Sequence, residues 1–259
     1  MKLHFYKYQG AGNDFIIADN RDRQIQLNRQ QVAFLCDRHF GIGADGLMLL
    51  EPAGGYDFRM VYYNSDGNES TMCGNGGRCI TAFAKKLCII QNDARFVAID
   101  GPHHATIDNQ GNVHLGMQDV HHIAFQDGFT VLNTGSPHYV ARVDNVDETD
   151  VLHRGREIRN MEVYQPKGIN VNFVQDTGEA IKVRTYERGV ENETLSCGTG
   201  VTACAIATVQ QATGNFDRPV LTPGGKLRVT FKKLTPESAT EVVLIGPAEL
   251  VYDGYIDIS

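Results

Sequence analysis

A chain of 259 residues, 42% apolar and 21% charged, can bury a large core and is long enough for two domains. The formal net charge of −7, with Lys and Arg scattered rather than clustered, argues against a nucleic-acid surface. The alternating start MKLHFYKYQG and the lack of a long apolar run argue against a signal peptide or a membrane span.

In chain order, MKLHFYKYQG reads as a strand, and GAGNDFIIAD as a glycine-containing turn entering an apolar strand that ends in Asp. Phe58 to Tyr63 predicts a strand, followed by a turn rich in Asp, Asn and Gly. A helix is expected over Asn75 to Leu87, where Cys79, Ile80, Phe83, Ala84 and Leu87 recur at three and four residues. NTGSPHYVARVD repeats the turn-then-strand outline. Ala180 to Tyr186 predicts another strand, and Val201 to Val209 a helix that is small or apolar on every face, as expected of a helix buried inside its own sheet. The closing VYDGYIDIS is strand-like and could return to complete the sheet of the first half.

These elements occur twice. FRMVYYNSDGNESTMCGNGGRC, from Phe58, parallels IKVRTYERGVENETLSCGTGVTAC, from Ile181; Tyr63 matches Tyr186 and Cys73 matches Cys197, so one residue is inserted in the turn between them. The glycine turns at Gly12 and Gly135 fall at the same spacing. The reading is α/β (α+β): two pseudo-symmetric halves, each a curved, mostly antiparallel sheet or open barrel around a central helix. The halves are residues 1–118, completed by 250–259, and 119–249.

Six cysteines without a secretion signal read as reduced thiols of a cytoplasmic protein, and without a C-x-x-C pair they do not suit a zinc knuckle. Cys36, Cys79, Cys88 and Cys204 read as small core residues. Cys73 and Cys197 differ: each opens a helix and precedes Gly. The unpaired N–H groups and positive dipole end of a helix start favour a bound carboxylate and lower a thiol's pKa. Two such termini facing each other would place one sulfur on each face of a substrate α-carbon, one removing a proton and the other returning one, with no metal or pyridoxal cofactor.

At GAGNDF, GIGADG, YNSDGNESTMCGNGGRC, GSPHYV, INVNF, YERGVENETLSCGTG and VYDGYI, in this order, the chain resembles the diaminopimelate epimerases over almost its whole length. The resemblance implies interconversion of LL- and meso-diaminopimelate, a step toward lysine and the cell-wall peptide. It also implies two similar halves with the active site in the cleft between them, and a homodimer with Tyr252 near the contact. Cys73 and Cys197 would be acid and base, with Gly74, Asn75, Gly198 and Thr199 holding the reacting carboxylate. Asn13, Asn64, Asn170 and Arg188 would read the distal end, Glu187 would accept from an ammonium group, and His138 would help position the reacting centre. Two positions depart from the common pattern: Gly46, where many relatives carry Gln, and Ser136, where many carry Asn. A racemase of single-centred amino acids and a non-catalytic thiol protein are the competing readings; Asn64, Asn170 and Arg188 together favour a substrate with a second charged end. The remaining histidines, including His103–His104 and His121–His122, read as solvated loop residues.

Overall fold

In the first strand, β1 (Lys2–Gly10), Leu3, Phe5 and Tyr8 are buried, but Lys7 is buried as well. Lys7 keeps the alternation of Leu3 and Phe5, Tyr8 joins Tyr6 on the other face against Phe83, and a bulge between Lys7 and Tyr8 shifts the register toward the closing strand. The computed structural model describes residues 1–258, and these divide into two units, Met1–Leu115 with the segment from Gly246 onward, and Gly116–Ile245.

In the first unit β1 pairs antiparallel with β2 (Asn13–Asp19). The chain then crosses over through α1 (Arg29–Cys36), which starts in a capping box formed by Asn28 and Gln31. It returns as β3 (Gly46–Glu51), parallel to β2, followed by antiparallel β4 (Phe58–Asn64) and the short β5 (Glu69–Ser70). The helix α2 (Gly74–Lys86) leads to β6 (Asp93–Ala98), parallel to β4, and then to the antiparallel β7 (Gly101–Ile107) and β8 (Val113–Gly116).

The second unit follows the same course. β9 (Ile123–Gln126) and β10 (Phe129–Asn133) are antiparallel, as are β10 and β11 (Pro137–Arg142). A crossover through α3 (Val151–Arg159) gives β12 (Asn170–Asp176), parallel to β11, then antiparallel β13 (Ile181–Glu187) and β14 (Asn192–Thr194). After α4 (Gly198–Thr208) comes β15 (Gly214–Thr222), parallel to β13, and the antiparallel β16 (Gly225–Lys233) and β17 (Thr240–Gly246). The closing strand β18 (Glu249–Asp257) pairs antiparallel with β1 of the first unit, the place that β9 takes beside β10 in the second.

The inserted residue lies in one hairpin turn. Tyr63 pairs with Glu69 across residues 64–68, whereas Tyr186 pairs with Glu193 across residues 187–192, and from each Glu the same four steps lead to Cys73 or Cys197. Both helices start earlier than apolar spacing indicates, because Gly74 and the run Gly198–Gly200 are helical without any apolar signal. In α2, Cys79, Ile80, Phe83 and Ala84 are fully buried against the strands, and in α4 every residue from Val201 to Ala207 is buried. Each fully buried Val, Ile or Phe contributes roughly 1.5–3 kcal/mol, so the two helices are held by their sheets rather than by propensity.

Two expectations change. Cys88 is no core residue: it is exposed just past α2 with a φ of 57°, so chain reversal, not packing, sets its place. His103 and His104 lie in β7, with His103 3.2 Å from Asp100 and stacked on Phe96, while His121 and His122 are exposed in a connection. No described helix is long and apolar enough to cross a membrane.

Candidate active site

In the first unit Cys73 is the N-cap of α2, and its carbonyl accepts the first helical hydrogen bond from Gly77 at 2.7 Å. N–H groups of a helix's first turn have no acceptor within the helix, so Gly74 and Asn75, both buried, stand where an anion is stabilised. The Cys73 thiol donates to Oδ1 of Asn13 at 3.6 Å, and the same oxygen accepts from Nδ2 of Asn75 at 3.2 Å.

Groups of fixed polarity hold this arrangement. Arg78, fully buried one turn into α2, donates to the carbonyl of Gly74 and to Oδ1 of Asn75. That contact commits Asn75 to donating through Nδ2. At the other end Nδ2 of Asn13 donates to Asp45 at 2.6 Å, leaving its oxygen toward the sulfur. Behind Asn13, Asp14 bridges buried Lys7 (2.7 Å) and Arg38 (2.8 Å). Burial opposes ionisation of Asp14, yet the hydrogen bonds and charges of Arg38 and Lys7 outweigh it and hold the carboxyl at about 2. Asn64 is exposed at the end of β4, opposite Gly46 in β3. A Cβ on Gly46 would lie 2.6 Å from the Tyr62 ring and 2.7 Å from the Tyr63 carbonyl, so this chain has no room there for a longer side chain while Tyr62 keeps its place.

In the second unit Cys197 is the N-cap of α4, its carbonyl accepting from Val201 at 2.8 Å, with Gly198 and Thr199 in the first turn. Thr199 is held at both ends: its carbonyl accepts from the Thr134 hydroxyl at 2.8 Å, and its own hydroxyl lies 3.5 Å from the Cys197 sulfur and 2.9 Å from Nε2 of His138. His138 is completely buried; desolvation, reinforced by the charge of Arg188, pushes it down to about 3, so its ring is neutral at physiological pH. Behind it Asn172, also fully buried, lies 3.1 Å from Nδ1 of His138.

The expected distal-end residues of this unit adjoin one another. Oδ1 of Asn170 accepts from the backbone N–H of Arg188 at 2.9 Å and its Nδ2 donates to the Pro137 carbonyl at 3.2 Å, which ties the ends of β11, β12 and β13 together. Asn170 is therefore a brace as well as a candidate contact. The half-buried Arg188 side chain reaches the Lys167 carbonyl at 3.4 Å, and Glu187 accepts from the Thr194 hydroxyl at 2.9 Å. Ser136 serves the turn before β11 through its carbonyl, which accepts from the Thr134 N–H.

The other buried thiols are unsuited to act as bases. Burial pushes Cys36 and Cys79 up to about 12 and Cys204 well above its ordinary value, so all three remain protonated. Arg78, Asp45, Thr134, Thr185 and Asn172 escaped the reading of the sequence. Asn172 had a signal: Asn at alternate positions of an apolar strand, 170 and 172, places two amides on one face of β12.

Residues 5–123 and 130–251 match the family described as diaminopimelate epimerase. The diaminopimelate epimerase of Flavobacterium psychrophilum is 53% identical over 258 residues, spanning 98% of this chain and 99% of that protein. That of Chlorobaculum tepidum is 42% identical over 261 residues, spanning 96% and 99%. Among solved structures, a phenazine biosynthesis protein of the PhzF family from Bacillus anthracis superposes with a TM-score of 0.75 at 13% identity, with 100% of both chains covered. A hydroxyproline epimerase from Agrobacterium vitis superposes with a TM-score of 0.69 at 16% identity, covering 98% of this chain and 92% of that one. At such identities these two speak for the fold alone.

Proposed function

The chain belongs to the diaminopimelate epimerase family, and from that premise we propose that it interconverts LL- and meso-2,6-diaminopimelate by proton transfer between two thiols. The observation that carries the mechanism is the equivalence of Cys73 and Cys197, each the N-cap of the buried helix of its own unit, four residues beyond an equivalent strand position.

One cysteine, as thiolate, takes the α-proton and becomes a thiol. The electron pair left on the α-carbon is stabilised through the adjoining carboxylate, bound at helix-terminal N–H groups of Gly74, Asn75, Gly198 and Thr199. The other cysteine gives its proton to the opposite face and becomes the thiolate, so a turnover ends with the two roles exchanged and no net proton consumed. The transfers use no metal and no cofactor. Asn13, Asn64, Asn170 and Arg188 recognise the distal end, Arg188 as a forked partner for a carboxylate, and Glu187 accepts from an ammonium group.

The active species is a cytoplasmic homodimer. Leu250, Val251, Tyr252 and Tyr255 of β18 are all exposed large apolar residues, and such a row favours burial against a second copy.

Incubation of reduced protein with LL-diaminopimelate in deuterated water tests the reaction: meso product carrying α-deuterium is expected. Unchanged substrate with no exchange, from protein whose Cys73 and Cys197 are verified as thiols, overturns it.

A further inference from the structure

We propose that Asn172 is a positioning residue that fixes the tautomer of His138 and thereby makes Thr199 a hydrogen-bond donor to the sulfur of Cys197. This rests on the two-thiol reading and names what biases one of the thiols.

The direction of each hydrogen bond follows from a group with one polarity only. Nδ2 of Asn172 stands 3.0 Å from the Tyr139 carbonyl, which can only accept, so the amide nitrogen and not the oxygen faces that side. Oδ1 then accepts from the Thr185 hydroxyl at 2.9 Å. The second N–H of Asn172 points at Nδ1 of His138, 3.1 Å away, so this nitrogen must offer a lone pair. A neutral imidazole with a bare Nδ1 carries its hydrogen on Nε2, and that hydrogen meets Oγ1 of Thr199 at 2.9 Å. Having accepted from His138, the Thr199 hydroxyl directs its own hydrogen to the Cys197 sulfur at 3.5 Å. A donor aimed at sulfur stabilises the thiolate over the thiol.

Packing holds the chain in register. A Cβ on Gly200 would stand 2.4 Å from Oδ1 of Asn172 and 3.4 Å from Cε1 of His138, so α4 approaches β12 as closely as a backbone without a side chain permits. Other ionisable groups act on the same sulfur or ring: Cys204, two turns along α4, is protonated; Arg188, just past β13, adds to the burial that keeps His138 neutral; Glu187 beside it is engaged with Thr194. Cys73 has the opposite neighbour, the accepting oxygen of Asn13, and serves as an internal control.

Two measurements on the whole enzyme test the assignment. In wild-type protein, ¹⁵N chemical shifts of the His138 ring are expected to report hydrogen on Nε2; hydrogen on Nδ1 overturns the proposal, while unimpaired α-deuterium exchange in the same sample would leave the epimerase reading standing. The second is the pH dependence of iodoacetamide alkylation, resolved for each cysteine by mass spectrometry. Asn172→Asp reverses the polarity offered to Nδ1, so the Cys197 midpoint should rise by about one to two pH units while that of Cys73 stays put, with kcat falling at least about tenfold and KM changing less than about threefold. Should that variant not fold, Thr199→Val is expected to raise the Cys197 midpoint similarly and Thr199→Ser to restore it. An unmoved midpoint in Thr199→Val, or equal shifts at Cys73 and Cys197, refutes the relay.

Discussion

A Cβ placed on Gly200 would come within 2.4 Å of the Asn172 side-chain oxygen, so a glycine in the first turn of α4 and an asparagine in mid-strand share one space. Gly200→Ala must therefore shift either the helix start or the amide. The expected cost is about 1–3 kcal/mol in denaturant unfolding, together with a loss of turnover. Gly54→Ala, where a Cβ meets nothing within 4 Å, should leave both unchanged.

Removing either thiol of the proposed pair should lower kcat by roughly 10²–10⁴-fold, the range for a lost general acid or base. Cys88→Ala, at an exposed position past α2, is expected to keep activity within about twofold of the parent enzyme. Steady-state rates of Cys73→Ala, Cys197→Ala and Cys88→Ala make the comparison, and three equal rates would contradict the assignment of roles.

His138 should stay neutral wherever the enzyme works. Its buried ring titrates at about 3 against an ordinary 6.5, so below pH 6.5 the unfolded chain binds a proton that the folded one refuses. Its contribution to stability is present above pH 6.5 and is lost as pH falls from there toward 3. In proton spectra the His138 Cε1–H resonance should not move between pH 8 and pH 5, and a resonance that does move contradicts the neutral ring.

Asp14 behaves as a carboxylate does when its folded pKa is depressed. With the folded group at about 2 and the ordinary value at 3.8, its contribution is complete above pH 3.8 and disappears as pH falls through 2. Asp14→Asn should destabilise the protein by on the order of 1–2 kcal/mol at pH 7, and the gap between the two proteins should narrow from pH 4 to pH 2 in denaturant titrations.

Replacing Tyr252 by Asp adds a charge within the exposed apolar row of β18. Light scattering on micromolar samples should give the dimer mass for the parent protein and the monomer mass for the variant; a parent protein that is monomeric throughout rules out the dimer.

The sequence made much of this legible where periodicity or repetition was strong. The all-apolar face of Val201 to Ala207 can only be buried, and the matched residues around Cys73 and Cys197 imply equivalent positions. Less was legible where long-range pairing decides. The alternation of β1 puts Lys7 on the buried face of Leu3 and Phe5, where an apolar residue is expected, and only the salt bridge to Asp14 explains a charge there. The helix starts at Gly74 and Gly198 leave no apolar mark in the sequence. The polar links Arg78–Asn75–Asn13–Asp45 and Asn172–His138–Thr199 join residues far apart in the chain, so no local spacing announces them.

The pairing of β18 with β1 bears on how the protein is made. A ribosome delivers residues 116–245, the whole of the second unit, before it delivers the strand that β1 needs as a neighbour. The part synthesised first is thus finished last: until residues 249–257 emerge, the outer side of β1 lacks its ladder partner. A chain cut short before Glu249 therefore keeps every residue of the second unit and still leaves one edge of β1 open.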